Sequence, residues 1–324
     1  MLWATWRRYR SDALFVAALL VVLGAAVLVL SIAGSGTVAA VARSCTEPLT
    51  CTAPQVWFNS GLPNWWGYVL QVVVLVPAVV GVFVGAPLVP RELEHGTHLI
   101  AWTQSIPRGP WFLARVGLLA LSAAAAAVLL AAIALGWFAM ERELANTGIL
   151  NIWSGFDIAP PVVIAYTLFA LALGVAAGAA IRRTGPAIVV ALIGFIAVRV
   201  TIAEAFRWRY LAPVTARQLL EAQIAGGLPR AVPITAWVLP SSGTFVNAAG
   251  HPLSASISML LPQCTGPSAS GVVSCPRALD GVSVLYVFQP ASRFWLFQGI
   301  EAALFVVLAL ALFALAYRLV MRTR

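Results

Sequence analysis

Lysine is absent from this chain of 324 residues: all 20 of its basic side chains are arginines. That absence excludes a Walker A lysine, a Schiff-base lysine and a Ser–Lys dyad. Charge of either sign is scarce, at 10% of residues, where a soluble domain carries about 25%. An ordinary cytosolic globular protein is thereby excluded. Acidic residues number 11, cysteines four and histidines three. What fills the chain instead is apolar. Hydrophobic residues make up 61%, the mean hydropathy is +0.93, and the apolar residues come in long runs. This is the composition of a polytopic membrane protein.

Residues 13–33 carry no charge, and thirteen of them are Leu, Ile, Phe or Val. Each contributes roughly −0.3 to −0.6 kcal/mol at a helix centre, and about 20 such residues cross a bilayer. A signal peptide is the rival reading, with Arg7, Arg8 and Arg10 as its basic region and Ala40-Val41-Ala42 as its cleavage site. The run is longer than the roughly 7–15 residues usual for such a segment, so a retained span is expected. Five further spans are expected near 67–89, 111–138, 161–181, 186–206 and 293–317. Arg182-Arg183-Thr184-Gly185 alone separates the fourth from the fifth, which requires a tight helical hairpin, and Pro186 suits a first helical turn.

Six spans place both termini on one side. The short segments on that side hold ten arginines, among them Arg91, Arg108, Arg182, Arg183 and Arg318; the two short loops opposite hold Arg43 and Arg142. By the positive-inside rule both termini are cytoplasmic. The expected fold is therefore an all-α multi-pass protein of the cell membrane, with a small mixed extracytoplasmic domain between spans five and six. An interfacial N-terminal elbow occupies 1–12, where Trp3 and Trp6 interleave with arginines; lipid rather than nucleic acid is its expected partner. Spans one to five occupy 13–206, the extracytoplasmic domain 207–292, and the sixth span with its cytoplasmic tail 293–324.

Cys45 and Cys51 fall in the first outer loop and Cys264 and Cys275 in the last, the side where disulfides persist. Three connectivities exist, of which nearness favours Cys45–Cys51 and Cys264–Cys275. A Cys₄ metal site lacks the usual ligand spacing. Within 207–292, Thr215-x-x-Gln218 reads as a capping box opening a helix closed by Gly226-Gly227. Thr235–Leu239, Ser256–Leu261 and Val282–Phe288 read as strands, the last preceded by an Asp280-Gly281 turn. His251 has no visible acid or nucleophile partner and reads as a loop residue.

Two small-residue stripes, Gly81-x-x-x-Gly85 and Gly174-x-x-x-Gly178, suit close helix approach, within the chain or across a dimer seam. Two charges lie deep in spans. Arg199 and Glu301 are each expected roughly 10–12 Å below the outer boundary, where charges commonly pair. An Arg199–Glu301 pair is expected. The rivals are Arg199 reaching out towards Glu204, and a protonated Glu301.

The inner loop 90–108 is the most informative segment: Pro90-Arg-Glu-Leu-Glu-His-Gly-Thr-His-Leu-Ile-Ala-Trp-Thr-Gln-Ser-Ile-Pro-Arg108. Pro90 starts and Pro107 stops a short surface helix of mixed polarity, suited to docking in a groove of another protein. His95-x-x-His98 is spaced i, i+3 with Glu94 before it, unlike HExxH, which argues against metal. Glu92 and Glu94 lack the pocket that acid–base chemistry needs. A merely solvated face would leave Leu93, Ile100 and Trp102 idle.

At these residues the chain resembles the membrane permease subunits of type-2 class ABC exporters, most closely their actinobacterial branch. Six spans, an N-terminal elbow, Arg91-Glu92-Leu93-Glu94-His95-Gly96-Thr97 after span two, Trp102-Thr103-Gln104-Ser105, and a basic start to span three at Arg108 and Arg115 carry the likeness. The resemblance implies that Glu92, Glu94, Gly96, Thr97, Trp102 and Gln104 contact a separate cytoplasmic ABC ATPase, which binds ATP and Mg. It implies a second permease subunit, in a homodimer or heterodimer, and a transport subunit with no catalytic site or cofactor of its own. The cargo would be amphipathic or hydrophobic. A secondary transporter predicts acidic residues at span centres and an inverted repeat, and neither is visible. An intramembrane enzyme lacks its parts, since no span contains His, Asp or Cys. A non-transporting sensor or immunity subunit with the same fold is the remaining alternative.

Overall fold

The computed structural model describes residues 62–90, 108–145, 152–220, 236–239, 242–253 and 281–322, with scattered positions between 18 and 33 and at 232. Among the described residues five long helices form the bundle: α1 (Leu62–Gly85), α2 (Arg108–Ala145), α3 (Pro160–Ile181), α4 (Thr184–Thr201) and α5 (Phe294–Arg322). Among the described residues four stretches are long and apolar enough to cross a membrane: Phe112–Ala132, Pro160–Ile181, Thr184–Arg209 and Ala291–Arg322. They coincide with the spans expected third to sixth, and α1 with the second. The first expected span lies mostly outside the described residues. Pro77 does not break α1, which runs through it. Transmembrane helices tolerate proline where neighbouring groups satisfy the freed carbonyl.

The apolar stretch of α3 is 78% buried, against 28% for α2 and 22% for each of α4 and α5. A helix apolar all round is one that is surrounded, and α3 packs on α1, α2, α4 and α5. Pro160 and Pro161 open it, after Ala159 in extended conformation; a residue before proline avoids the helical region, and proline at the start sacrifices no intrahelical bond. At the other end Arg182 takes a left-handed conformation (φ 58°), and its N–H bonds the carbonyl of Gly178. Arg183 is extended, and α4 starts at Thr184. The link between the helices is thus two residues long.

On α4 the exposed face is Val189, Val190, Ile193, Ile196 and Val200; on α5 it includes Val307, Leu310 and Leu315. Apolar surface on this scale suits lipid or another helix rather than water.

Among the described residues a four-stranded antiparallel sheet sits at the end of the bundle where α3 begins and α4 ends. Its strands are β1 (Val214–Leu219), β2 (Trp237–Val238), β3 (Thr244–Val246) and β4 (Ser283–Gln289), and all of the first three pair with β4. Thr215 to Gln218 therefore lie in a strand, not at the head of a helix: β1 pairs β4 from Val214↔Phe288 to Leu219↔Ser283. The local capping signal loses to six residues of ladder. Strands were expected at Thr235–Leu239 and Val282–Phe288, where β2 and β4 lie, and Gly281 before β4 has the positive φ (69°) that suits glycine in a turn. The expected strand Ser256–Leu261 and the expected helix end at Gly226-Gly227 lie outside the described residues.

Candidate functional site

Six polar side chains converge where the bundle meets the sheet, and the local sequence explains how each arrives. Asp157 lies in a 3₁₀ turn, Ile152–Ile158, which the extended Ala159 and two prolines terminate. Tyr166 lies two turns into α3, and Glu301 two turns into α5. Arg199 belongs to the last turn of α4. Beyond it the chain makes a π-helical turn, Ile202–Phe206, and then a 3₁₀ turn, Arg207–Arg209, which together bring Arg207 inward and place Tyr210 beside it.

Glu301 is fully buried and Arg207 nearly so. The Arg207 guanidinium grips Glu301 with two parallel bonds, Nε to Oε2 at 2.9 Å and Nη2 to Oε1 at 2.8 Å. Nη2 also donates to Asp157 Oδ1 at 2.6 Å. Tyr166 donates its hydroxyl to Glu301 Oε1, and Tyr210 donates to Oε2 at 3.2 Å. Arg199 Nη2 pairs with the other Asp157 oxygen, Oδ2, at 3.1 Å. Arg207 lies over the Phe156 ring at 4.2 Å and Arg199 over the Tyr166 ring at 5.3 Å. Two arginines thus balance two carboxylates. Isolated charges so buried would be costly, and bidentate geometry with further donors offsets that cost.

Burial pushes the Asp157 carboxyl up, but Arg207 and Arg199 together hold it below the usual carboxylate value. Burial, and then the Glu301 charge, push the Tyr210 phenol above its ordinary value, so it stays a donor.

The cluster is tied to the sheet. Gln289, the last residue of β4, is fully buried and donates through Nε2 to the carbonyl of Leu211 at 2.8 Å. Arg293 Nη1 donates to the carbonyl of Ala212 at 2.7 Å and to Gln289 Oε1 at 2.8 Å. These bonds join the chain leaving α4 to the chain entering α5. Phe156, Trp153, Phe294 and Phe297 pack as an aromatic layer around the same junction.

The expected Arg199–Glu301 pair does not form: Arg199 pairs with Asp157 and Glu301 with Arg207. The cause is Arg207, read from sequence as the first residue of the outer domain, which is turned into the bundle and reaches Glu301 with both ends of its fork. Nor does Arg199 reach Glu204, which is exposed and has no ion pair among the described residues. Asp157, Tyr166, Arg207 and Tyr210 escaped sequence reasoning. The available signal was charge balance: Asp157 and Arg207 each flank an apolar span, and the two selected charges lie within such spans.

The two glycine stripes meet each other. A Cβ on Gly81 would lie 2.4 Å from Ala170 Cβ and 2.5 Å from the Leu171 nitrogen; on Gly85, 2.6 Å from the Leu171 carbonyl oxygen. One on Gly174 would lie 2.8 Å from the Ala86 nitrogen, and one on Gly178 2.5 Å from the Ala86 carbonyl oxygen. The contact is within one chain, between α1 and α3.

Among the remaining expected site residues, Glu92, Glu94, Gly96, Thr97, Trp102 and Gln104 lie outside the described residues, as do Cys45, Cys51, Cys264 and Cys275. His251 is an exposed loop residue. Among the described residues no group of three or more His, Cys, Asp or Glu side chains is placed to hold a metal ion.

No curated protein and no solved structure matches the chain. A family model described as ABC-2 membrane transporter related matches residues 17–207. That stretch contains α1 to α4 and Asp157, Tyr166, Arg199 and Arg207 of the cluster, while the sheet and α5 lie beyond it. With more than half of its length matched and its long helices apolar enough to span a bilayer, the chain belongs to the ABC-2 membrane transporter related family, the membrane permeases of ABC transporters.

Proposed function

We propose that this chain is the permease subunit of an ATP-driven exporter. A separate cytoplasmic ABC ATPase powers it, and a second permease subunit completes the path. The observation that carries the reading is the family match across residues 17–207. The absence of lysine supports it, because a chain without the P-loop lysine needs its nucleotide chemistry from another polypeptide. In this reading the segment 90–108 docks on the ATPase through Glu92, Glu94, Gly96, Thr97, Trp102 and Gln104, and the sheet lies outside the cell membrane. The cargo is amphipathic or hydrophobic, in keeping with apolar span walls.

The charge cluster gives the reading a mechanical part. Helices α3 and α5, the end of α4 and, through Gln289, the last residue of β4 are fastened at one place. Movement delivered to the spans from the ATPase side is therefore passed to the outer sheet as one body instead of being lost between helices.

The test is co-purification with a candidate ATPase followed by ATP hydrolysis in lipid vesicles. Complex formation and hydrolysis stimulated by an amphipathic substrate are expected. Replacing Glu94 with Arg is expected to abolish the stimulation at unchanged membrane abundance. A chain that binds no ATPase, or a Glu94→Arg variant that transports normally, contradicts the docking assignment.

A further inference from the structure

The inward stripe of α4 runs Ala187, Ala191, Phe195 and Ile202, all buried. In an uninterrupted α-helix each residue advances about 100°, so Phe206 would lie about 40° from Ile202 around the axis and Arg207 about 140° from it. Phe206 is instead 52% exposed, and Arg207 occupies the inward position at 8%. The π turn Ile202–Phe206 accounts for the difference. It holds one residue more than an α turn, and its closing bond runs from the Arg207 N–H to the Ile202 carbonyl. That single extra residue decides whether a phenyl ring or a guanidinium faces Glu301.

We propose that this turn is a two-position register device: the π form engages Arg207 with Glu301, and relaxation to the α form turns Phe206 inward and releases Arg207. Single-turn π bulges inside α-helices are frequent at functional sites, and here both positions are provided with partners. In the released form Glu301 keeps two hydroxyl donors, Tyr166 and Tyr210. Asp157 keeps Arg199. Arg207 gains Glu204, now three residues before it on a regular helix and exposed, at a spacing where opposite charges attract. Phe206, which has no polar group to satisfy, enters beside the aromatic layer. The device resides in the fold and does not depend on the chain being an exporter.

The test is fluorine NMR of the full chain in lipid nanodiscs, with 4-trifluoromethyl-phenylalanine at position 206 and lipid-soluble paramagnetic oxygen to report exposure. The wild-type chain gives a dominant exposed signal. Glu301→Gln weakens the engaged form, and a second, shielded signal is expected to grow by more than about tenfold, since breaking one partner of a buried pair is strongly unfavourable. Adding Glu204→Gln, an exposed change that leaves folding intact, removes the alternative anchor and lowers the shielded share by about twofold. A single exposed signal in all three proteins, or a shielded share that neither substitution moves, overturns the proposal.

Discussion

The two halves of α3 are held by opposite kinds of chemistry. Towards its end, Gly174 and Gly178 lie against Gly81 and Gly85 of α1 and Ala86 just beyond it, with no space for a single added carbon. Towards its start, Tyr166 joins a cluster of two carboxylates, two guanidinium groups and a second phenol. The glycine seam draws on dispersion between close backbones and has no titratable group. It accepts any partner of the right shape and no change of volume. The polar cluster is directional, and its bonds choose both the partner and its register. A membrane helix gains little from burying apolar surface, because lipid is as apolar as leucine, so shape at one end and hydrogen bonding at the other supply the specificity.

The sharpest way to break this contrast is to enlarge the seam. Gly178→Leu places a side chain where even a Cβ would sit 2.5 Å from the Ala86 carbonyl oxygen and 2.9 Å from Pro90 Cδ. Backbone must move, and loss of the folded bundle is expected, seen as aggregation on size-exclusion chromatography. A Gly178→Leu protein that melts at the wild-type temperature contradicts a close-packed seam.

Acid separates the two halves. The folded-state pKa of Asp157 is depressed, so its contribution is fully present above the unfolded value of about 3.9 and is lost as pH falls through the lower folded value. The melting temperature in detergent is expected to drop as pH falls below about 4 in the wild-type chain, and Asp157→Asn to show a shallower drop from a lower starting point. Tyr210 works at the other limb. Its raised pKa gives a contribution present below about pH 10 that is lost as pH rises further, and Tyr210→Phe is expected to flatten that limb. The seam should be indifferent to both.

The smallest effect sharpens the meaning of the glycines. Gly299 on α5 has nothing within 4 Å of an added Cβ. Gly299→Ala is expected to be neutral or to stabilise by up to about 1 kcal/mol, through reduced backbone freedom, as read from thermal unfolding. The same change at Gly81 meets Ala170 and Leu171 and is expected to destabilise.

The seam was largely legible in the sequence because small residues four apart form a periodic, local signal, and Gly81, Gly85, Gly174 and Gly178 carry it without help from the rest of the chain. The hairpin at Arg182–Gly185 was legible for the same reason. The cluster was only half legible. Glu301 and Arg199 stood out as charges in apolar spans, but pairing depends on phase, and one extra residue in the Ile202–Phe206 turn changes the phase of Arg207. Nothing in composition reveals that extra residue. The Thr215–Gln218 strand failed in a related way, since its partner strand lies about seventy residues on and a four-residue capping pattern cannot see it.

The most direct measurement of the central claim, that Arg207 and Glu301 lock the sheet end of the bundle as one unit, is a double-mutant cycle on thermal or denaturant unfolding in lipid-like detergent. Arg207→Met and Glu301→Leu each leave a buried charge without its main partner, and each is expected to cost about 3–5 kcal/mol. The double variant removes both charges and leaves Asp157 with Arg199, so it is expected to recover a large part of that loss, giving a coupling of at least about 2 kcal/mol. A double variant as unstable as the sum of the two singles would show that these side chains act independently and contradict the lock.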